Sequence, residues 1–377
     1  MKKNPGWKCG FEIELMAPKG KSRETLARAL ANAVGGLTRR RFYPQSEIDT
    51  ASKGKGFETL TLAFDVLDAQ GNKQFTLADD VTLNADIDQN VVGEDGWYRV
   101  LSTQRSNCDL VDAQCDANAG LDAVLEPLAA LFHTTVRAAS DGLRIVDSRS
   151  CTIAVALPLA GDRERACELI TRPFAPQEDA RGVLTRALAT AASEGFFVPK
   201  ESATHIHFDG RRLQNTGALR NVVAVFHRFR VVLRERFATN PACVRLGPWP
   251  RDLLELVFSQ AFLKMPWKEA ARALDTTTTS KYCDFNLINL FDRFSSKTTF
   301  EVRILPTHLD ADAVVDAALL FESLLERALN APPLRPLPSL DAGAEGQVLL
   351  DAFLQSSLWS LTAKERAALG ATQAALI

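Results

Sequence analysis

The sequence lacks most of the features that assign a class at first sight. Its seven cysteines (Cys9, Cys108, Cys115, Cys151, Cys167, Cys243, Cys283) form no C-x-x-C pair and no zinc-ribbon spacing, and an odd, scattered set excludes a disulfide framework. They read as reduced, partly buried residues of a cytoplasmic protein. Neither sign of charge predominates: 44 Lys+Arg oppose 46 Asp+Glu, a net charge of −2 that gives no bulk attraction for nucleic acid or an anionic membrane. No apolar run nears the roughly 18 to 20 residues that span a bilayer. The first six residues carry two lysines, but Glu12 and Glu14 stand where a signal peptide would place its apolar stretch. There is no internal repeat.

A chain of 377 residues, 46% hydrophobic and 24% charged, is globular, with one large domain or two ordinary ones. Apolar residues at intervals of four predict a helix over Ser22 to Val34, capped by Ser22 and ended by Gly35-Gly36. Arg39 to Gly56 is basic and rich in Lys and Gly. It reads as a surface loop and not a phosphate loop, since no strand and helix flank Lys53-Gly-Lys-Gly56. Strands are predicted at Phe57 to Val66, Lys73 to Leu77 and Trp97 to Ser102, with an exposed acidic loop over 79–96. A helix at Leu121 to Phe132 precedes extended runs at Thr134 to Ala138, Leu143 to Val146, Cys151 to Leu157 and Cys167 to Thr171. Further helices are predicted at Asp179 to Ser193, Asn221 to Phe237, Leu253 to Leu263, Trp267 to Leu274 and Ala311 to Leu329. Between the last two, Leu287 to Phe291 and Thr298 to Leu305 read as a hairpin-like pair. Ala331 to Pro338 has linker composition and leads into a short helical tail.

Three short stretches carry the chemistry. In an extended Phe11 to Met16, the period of two puts Glu12 and Glu14 on one face and Phe11, Ile13 and Leu15 on the other. His205-Ile-His207 and Glu301-Val-Arg303 repeat the device. Glu168 stands near the end of its own strand, which Pro173 limits. Each pair has an ordinary explanation, a solvated strand edge or a local ion pair worth about 0 to 1 kcal/mol. If all three converge, charges on an inward face require pairing or a metal. Carboxylates suit magnesium, and a histidine among them also admits manganese.

The order of these motifs resembles the amidoligase family. Gly10-Phe-Glu12-Ile-Glu14, Asp147-Ser-Arg-Ser150, Glu168, His205-Ile-His207, Lys281-Tyr282 with Asn286, and Thr299-Phe-Glu301-Val-Arg303 carry the resemblance over roughly residues 7 to 310. The family is similar to glutamine synthetase and glutamate-cysteine ligase. The resemblance implies an α+β fold: a curved, mainly antiparallel sheet with helices packed on its outer face. It implies a catalytic domain over 1–330 with an insertion within 36–140, followed by the linker and tail at 331–377. It further implies ATP and Mg2+ (or Mn2+) held by Glu12, Glu14, Glu168, His205 and Glu301. His207 and Arg303 would lie near the phosphates or the acid substrate, and Lys281 and Asn286 match family positions on the nucleotide side. The implied reaction joins a carboxylate to an amine through an acyl phosphate, on amino-acid or peptide substrates, with Asp147 a candidate base.

Two other readings stand beside this one. A metal-dependent hydrolase built on His205 and His207 would want further ligands, and His133, His227 and His308 have no matching spacing. A non-catalytic scaffold would keep the fold without turnover.

Overall fold

The computed structural model describes residues 7–46, 57–83, 85–88, 90, 96–140, 142–159, 165–174, 180–292, 297–332, 334–336 and 338–355. The predicted Lys53-Gly-Lys-Gly56 loop and the tail beyond 355 lie outside them. The fold is mixed α and β, with a large antiparallel sheet and helices. It divides into two compact units, one sheet-rich (Ile13–Arg172 and Arg186–Glu201) and one helix-rich (Met1–Glu12, Pro173–Thr185 and Ser202–Ile377). Strand β1 (Cys9–Met16) has residues in both units.

After β1, the sheet-rich unit runs α1 (Arg23–Ala33), β2 (Leu37–Ser46), β3 (Glu58–Leu67), β4 (Lys73–Asp79), β5 (Tyr98–Ser102), α2 (Arg105–Gln114) and α3 (Glu126–Leu131). Then follow β6 (Arg137–Ala138), β7 (Leu143–Val146), β8 (Thr152–Pro158) and β9 (Ala166–Thr171). The strands are ordered β9-β4-β3-β5-β8-β7-β6, with β2 paired to β3, each pair antiparallel. The β3–β4 turn is built by Asp68, whose Oδ1 accepts the N–H of Gln70 and Asn72, while Gly71 takes φ +81°. Alternation sends Phe42, Leu60, Leu62, Tyr98, Val100, Ile145, Ala154 and Ala156 to one face. There they pack with Val111, Val124, Leu125 and Leu128 from α2, α3 and the turn before α3.

The helix-rich unit follows α4 (Ala180–Ser193), whose residues are shared between the units. It contains β10 (Ala203–Asp209), α5 (Thr216–Arg236), α6 (Arg251–Phe258), α7 (Gln260–Lys264), α8 (Trp267–Asp275), β11 (Phe285–Asn286), α9 (Ile288–Phe291), β12 (Thr299–Pro306), α10 (Ala311–Asn330) and α11 (Ala344–Gln355). Its strands are ordered β11-β12-β10-β1. The centre of the unit is α5, where Phe226 meets the rings of Phe285 and Phe300 edge-on at 4.8 and 4.9 Å. Asp284, 1% exposed, takes Arg230 at 2.8 Å and Arg234 at 2.6 Å.

The proline-rich stretch, expected to be a linker, is a strap fastened along α5. Asn221 Nδ2 donates to the carbonyls of Ala328, Ala331 and Pro332, its Oδ1 accepts from Leu334 N–H, and Arg220 Nε donates to Leu334 O at 2.7 Å. Further on, Leu340 N–H donates to Arg228 O and Gly343 N–H to Glu235. Leu334, Leu350 and Phe353 are buried. A Cβ at Gly346 would come 2.7 Å from a methyl of Val232, so the chain needs glycine to lie this close.

Three local expectations fail for physical reasons. Leu37–Ser46 is a strand and not a loop: Arg39 and Arg41, which made it look solvated, both reach the buried carboxylate of Asp65. The expected helix at Leu121 to Phe132 shortens to α3, and α2 was not foreseen. Leu287 to Phe291 is a turn of helix because Asn286 Oδ1 accepts the N–H of Ile288.

Candidate functional site

In the helix-rich unit, β1, β10 and β12 bring together the three polar stretches found in the sequence. His207 on β10 lies opposite Glu301 on β12, and Asn286 on β11 lies opposite Glu301 from the other side. The β10 register slips between Thr204 and Ile206, and this irregularity brings His205 to the same carboxylate. His205 Nδ1 is 3.4 Å from Glu301 Oε1 and 3.7 Å from Glu12 Oε2. His207 Nε2 is 3.0 Å from Glu12 Oε2 and 3.8 Å from Glu301 Oε1. Glu12, His205 and Glu301 are all buried.

Each carboxylate is neutralised from its outer side. Asn286 Nδ2 donates to Glu301 Oε2 at 2.7 Å, and Arg303 donates to Glu301 Oε1 at 2.7 Å. Lys297 Nζ reaches Glu12 Oε1 at 2.9 Å. Burial alone would raise the carboxyl of Glu12, but His207 and Lys297 oppose it and hold it well below its ordinary value. For Glu301 burial is likewise outweighed, first by Arg303 and then by the two histidines. Burial, then the Arg303 guanidinium, lowers His205, so its ring is neutral near pH 7 and keeps a lone pair.

These residues fit a divalent cation. One ligand atom each from Glu12, His207 and Glu301 lies within 4.8 Å of the others. The sharper indication is His207 Nε2, a buried atom held between Glu12 Oε2 at 3.0 Å and Glu301 Oε1 at 3.8 Å, where a divalent cation would take the place of a shared proton.

The sheet-rich unit holds a second group, Glu14, Asp80 and Glu168, whose ligand oxygens also lie within 4.8 Å of one another. Glu168 on β9 sits opposite Ala78 on β4, and Asp80 follows β4 directly. Glu14 and Asp80 are buried, and three carboxylates this close are a donor set that suits a divalent cation. The neighbouring Asp79 is neutralised separately, by Arg165 at 3.0 Å and Arg23 at 3.8 Å.

The remaining predicted residues fall elsewhere. Lys281 lies over the ring of Tyr282 at 5.3 Å. Asp147 closes the β7–β8 turn, its Oδ1 accepting the N–H groups of Arg149 and Cys151, and it belongs to neither carboxylate group. Sequence reasoning missed Asp80 and Lys297. The first was lost in the acidic tract 79–96, although an Asp-Asp pair ending an apolar strand was a usable signal. The second has no local signal at all.

No curated protein matches the sequence. Among solved structures, a cryo-electron-microscopy glutamine synthetase from Plasmodium falciparum is similar with 11% identity and a TM-score of 0.30, over 89% of this chain and 54% of that one. The chain thus spans about half the length of that protein. The profile of the family described as "Putative amidoligase enzyme" matches residues 5–325, most of the chain, and the protein belongs to that family.

Proposed function

We propose that the protein is an ATP-dependent carboxylate-amine ligase that uses Mg2+ or Mn2+ and acts on amino-acid or peptide substrates in the cytoplasm. The observation that carries this reading is the convergence of Glu12, His205, His207 and Glu301 beside Arg303 in a member of the amidoligase family. In the proposed reaction a substrate carboxylate oxygen attacks the γ-phosphorus of ATP and ADP leaves. The amine then attacks the acyl phosphate, phosphate departs, and the amide remains. A bound divalent cation would supply charge neutralisation for the phosphates. Glu12, His207 and Glu301 are the residues to hold one such ion, and Glu14, Asp80 and Glu168 a second.

The chain's own part is positioning and charge. Arg303, anchored on Glu301, presents a fixed positive charge suited to the transferring phosphoryl group, and Asn286 fixes the other Glu301 oxygen. Neutral His205 keeps a lone pair with which it can ligate a cation, while burial and Arg303 oppose its protonation. All seven cysteines are free, which agrees with a reducing compartment.

The test is turnover. Purified protein with Mg2+, ATP and paired amino acids should release ADP and phosphate together with a product one water lighter than the sum of its parts. Turnover without nucleotide would establish the hydrolase instead, and inertness across the panel would leave the scaffold.

A further inference from the structure

The core of the sheet-rich unit lies on one face of its strands. The face opposite carries Arg39 and Arg41, which Asp65 neutralises, and three further arginines that make no ion pair among the described residues. On β8, Leu157 pairs with Arg99 of β5 and Val155 with both Leu101 of β5 and Arg144 of β7, while Arg144 pairs with Arg137 of β6. On β3, Thr59 pairs with Leu101. With a side-chain period of two, Arg99, Arg144 and Arg137 therefore share a face with Thr59 and Thr61, since their alternates Leu60, Leu62, Tyr98, Val100, Ile145, Ala154 and Ala156 form the core.

Two observations on this face point to a missing partner, and a third adds exposed positive charge beside them. Arg99 is half-buried, its Nε is fully enclosed without a hydrogen bond, and it makes no ion pair among the described residues. Thr59 and Thr61 are 2% and 0% exposed, and neither hydroxyl finds a hydrogen-bond partner. Arg137 and Arg144 oppose one another across strands, like charge against like charge, again without an acidic partner among the described residues. Elsewhere in the unit the same chemistry is satisfied: Arg39 and Arg41 have Asp65, and Arg23 and Arg165 have Asp79. Leaving a guanidinium edge and two hydroxyls unpaired in the interior costs stability, and a ligand that binds there recovers it.

The donors define the ligand. A guanidinium beside two threonine hydroxyls supplies the donors that suit an oxyanion. Glu168 lies on the same face: Asp65, two residues beyond Ala63 and four beyond Thr61, pairs with Thr76, and Ala78, two further along β4, pairs with Glu168. An anion at Arg99 is thus on the side from which a cation at Glu168 would be reached. We infer that Arg99, Thr59 and Thr61 form an oxyanion-binding site for an acidic group of the substrates, a phosphate or a carboxylate, with Arg144 and Arg137 drawing anions toward it. This rests on the ligase reading for the choice of ligand alone.

The experiment is calorimetric titration of the full chain with three probes: inorganic phosphate, a non-hydrolysable ATP analogue with Mg2+, and glutarate. At least one binds, and Arg99→Met weakens it by about tenfold or more, Thr61→Val by about three- to fivefold, with partial recovery in Arg99→Lys. A response from phosphate or the nucleotide assigns the site to the phosphate chain, and a response from glutarate alone assigns it to the acid. The thermal midpoint of Arg99→Met stays level or rises, and its Mn2+ affinity is unchanged. The inference is overturned if the unmodified protein binds no probe at 10 mM (about 2.7 kcal/mol), if Arg99→Met binds every probe unaltered, or if Arg99→Met loses thermal stability without losing affinity. Arg99-dependent phosphate or glutarate binding in a protein that never makes an amide would sink the ligase reading and keep the anion site.

Discussion

Lys297 already supplies a positive charge to the carboxylate that a divalent cation would need. Its Nζ is 2.9 Å from Glu12 Oε1, the Lys297 side chain being 46% exposed and that of Glu12 11%. At an effective dielectric constant of 20 the bare attraction at that distance is about 6 kcal/mol. The exposure of the lysine and the flexibility of its stem reduce this strongly, since fully exposed pairs are worth about 0.2 to 1 kcal/mol. With one partner buried, a net of about 1 to 2 kcal/mol is reasonable, a factor of about 5 to 30 in an equilibrium constant. A cation that takes up Glu12 must displace the lysine or share the carboxylate with it. Lys297→Met should therefore bind Mn2+ about 5- to 30-fold more tightly in dilute buffer, with the gain shrinking as salt is raised toward 0.5 M, roughly where the Debye length falls below 5 Å. Electron paramagnetic resonance titration of free Mn2+ measures this directly, without any turnover. Equal or weaker binding in the variant would refute the reasoning, because Lys297 would then be holding Glu12 in place for the metal and not competing with it.

Four further outcomes are expected. Glu301→Gln should lose Mn2+ binding by about a hundredfold in the same titration, and unfolding in urea should show a loss of about 1 to 3 kcal/mol, because Arg303 keeps its burial and loses its counter-charge. Asp65→Asn should cost about 1.5 to 3 kcal/mol at pH 7. Burial raises the Asp65 carboxyl, but Thr76, Arg41 and Arg39 outweigh it and hold the folded value below 3.8, so this stability is present above 3.8 and is lost as pH falls through the folded value. The native protein and the variant should thus converge in urea midpoints below that range. Asp147→Ala should leave ligase turnover intact while lowering the thermal midpoint by a few degrees, about 1 kcal/mol for the lost turn bonds, and loss of turnover would restore Asp147 as a base. Asn221→Ala should release the strap at a cost of about 1 to 3 kcal/mol, seen as faster proteolysis between 330 and 343.

The His-x-His and Glu-x-Arg pairs were legible because a period of two between apolar neighbours is unambiguous, and because charged residues with buried neighbours on both sides are rarely idle. The long helices were legible for the same reason at a period of 3.6, with α5 and α10 extending past their predicted starts or ends by only a few residues. Other parts were hidden by compensation at a distance. Nothing near Arg39 and Arg41 in sequence says that Asp65 neutralises them, so a strand looked like a loop. Helix α2 buries only Cys108 and Val111 of its ten residues, too little apolar periodicity to detect. Lys297 and Asp80 reach their partners across 285 and 66 residues of chain respectively in the case of Glu12 and Glu14, separations at which local pattern carries no information.

The fastening of residues 328–343 to α5 has a practical corollary for anyone shortening the chain. Composition invites a cut at the prolines, yet removal from Ala331 onward would strip Leu334, Leu350 and Phe353 from the interior and leave the Arg220 and Asn221 side chains facing water through a raw apolar opening. Such a shortened protein should be sticky and prone to precipitate, and its failure would say nothing about catalysis.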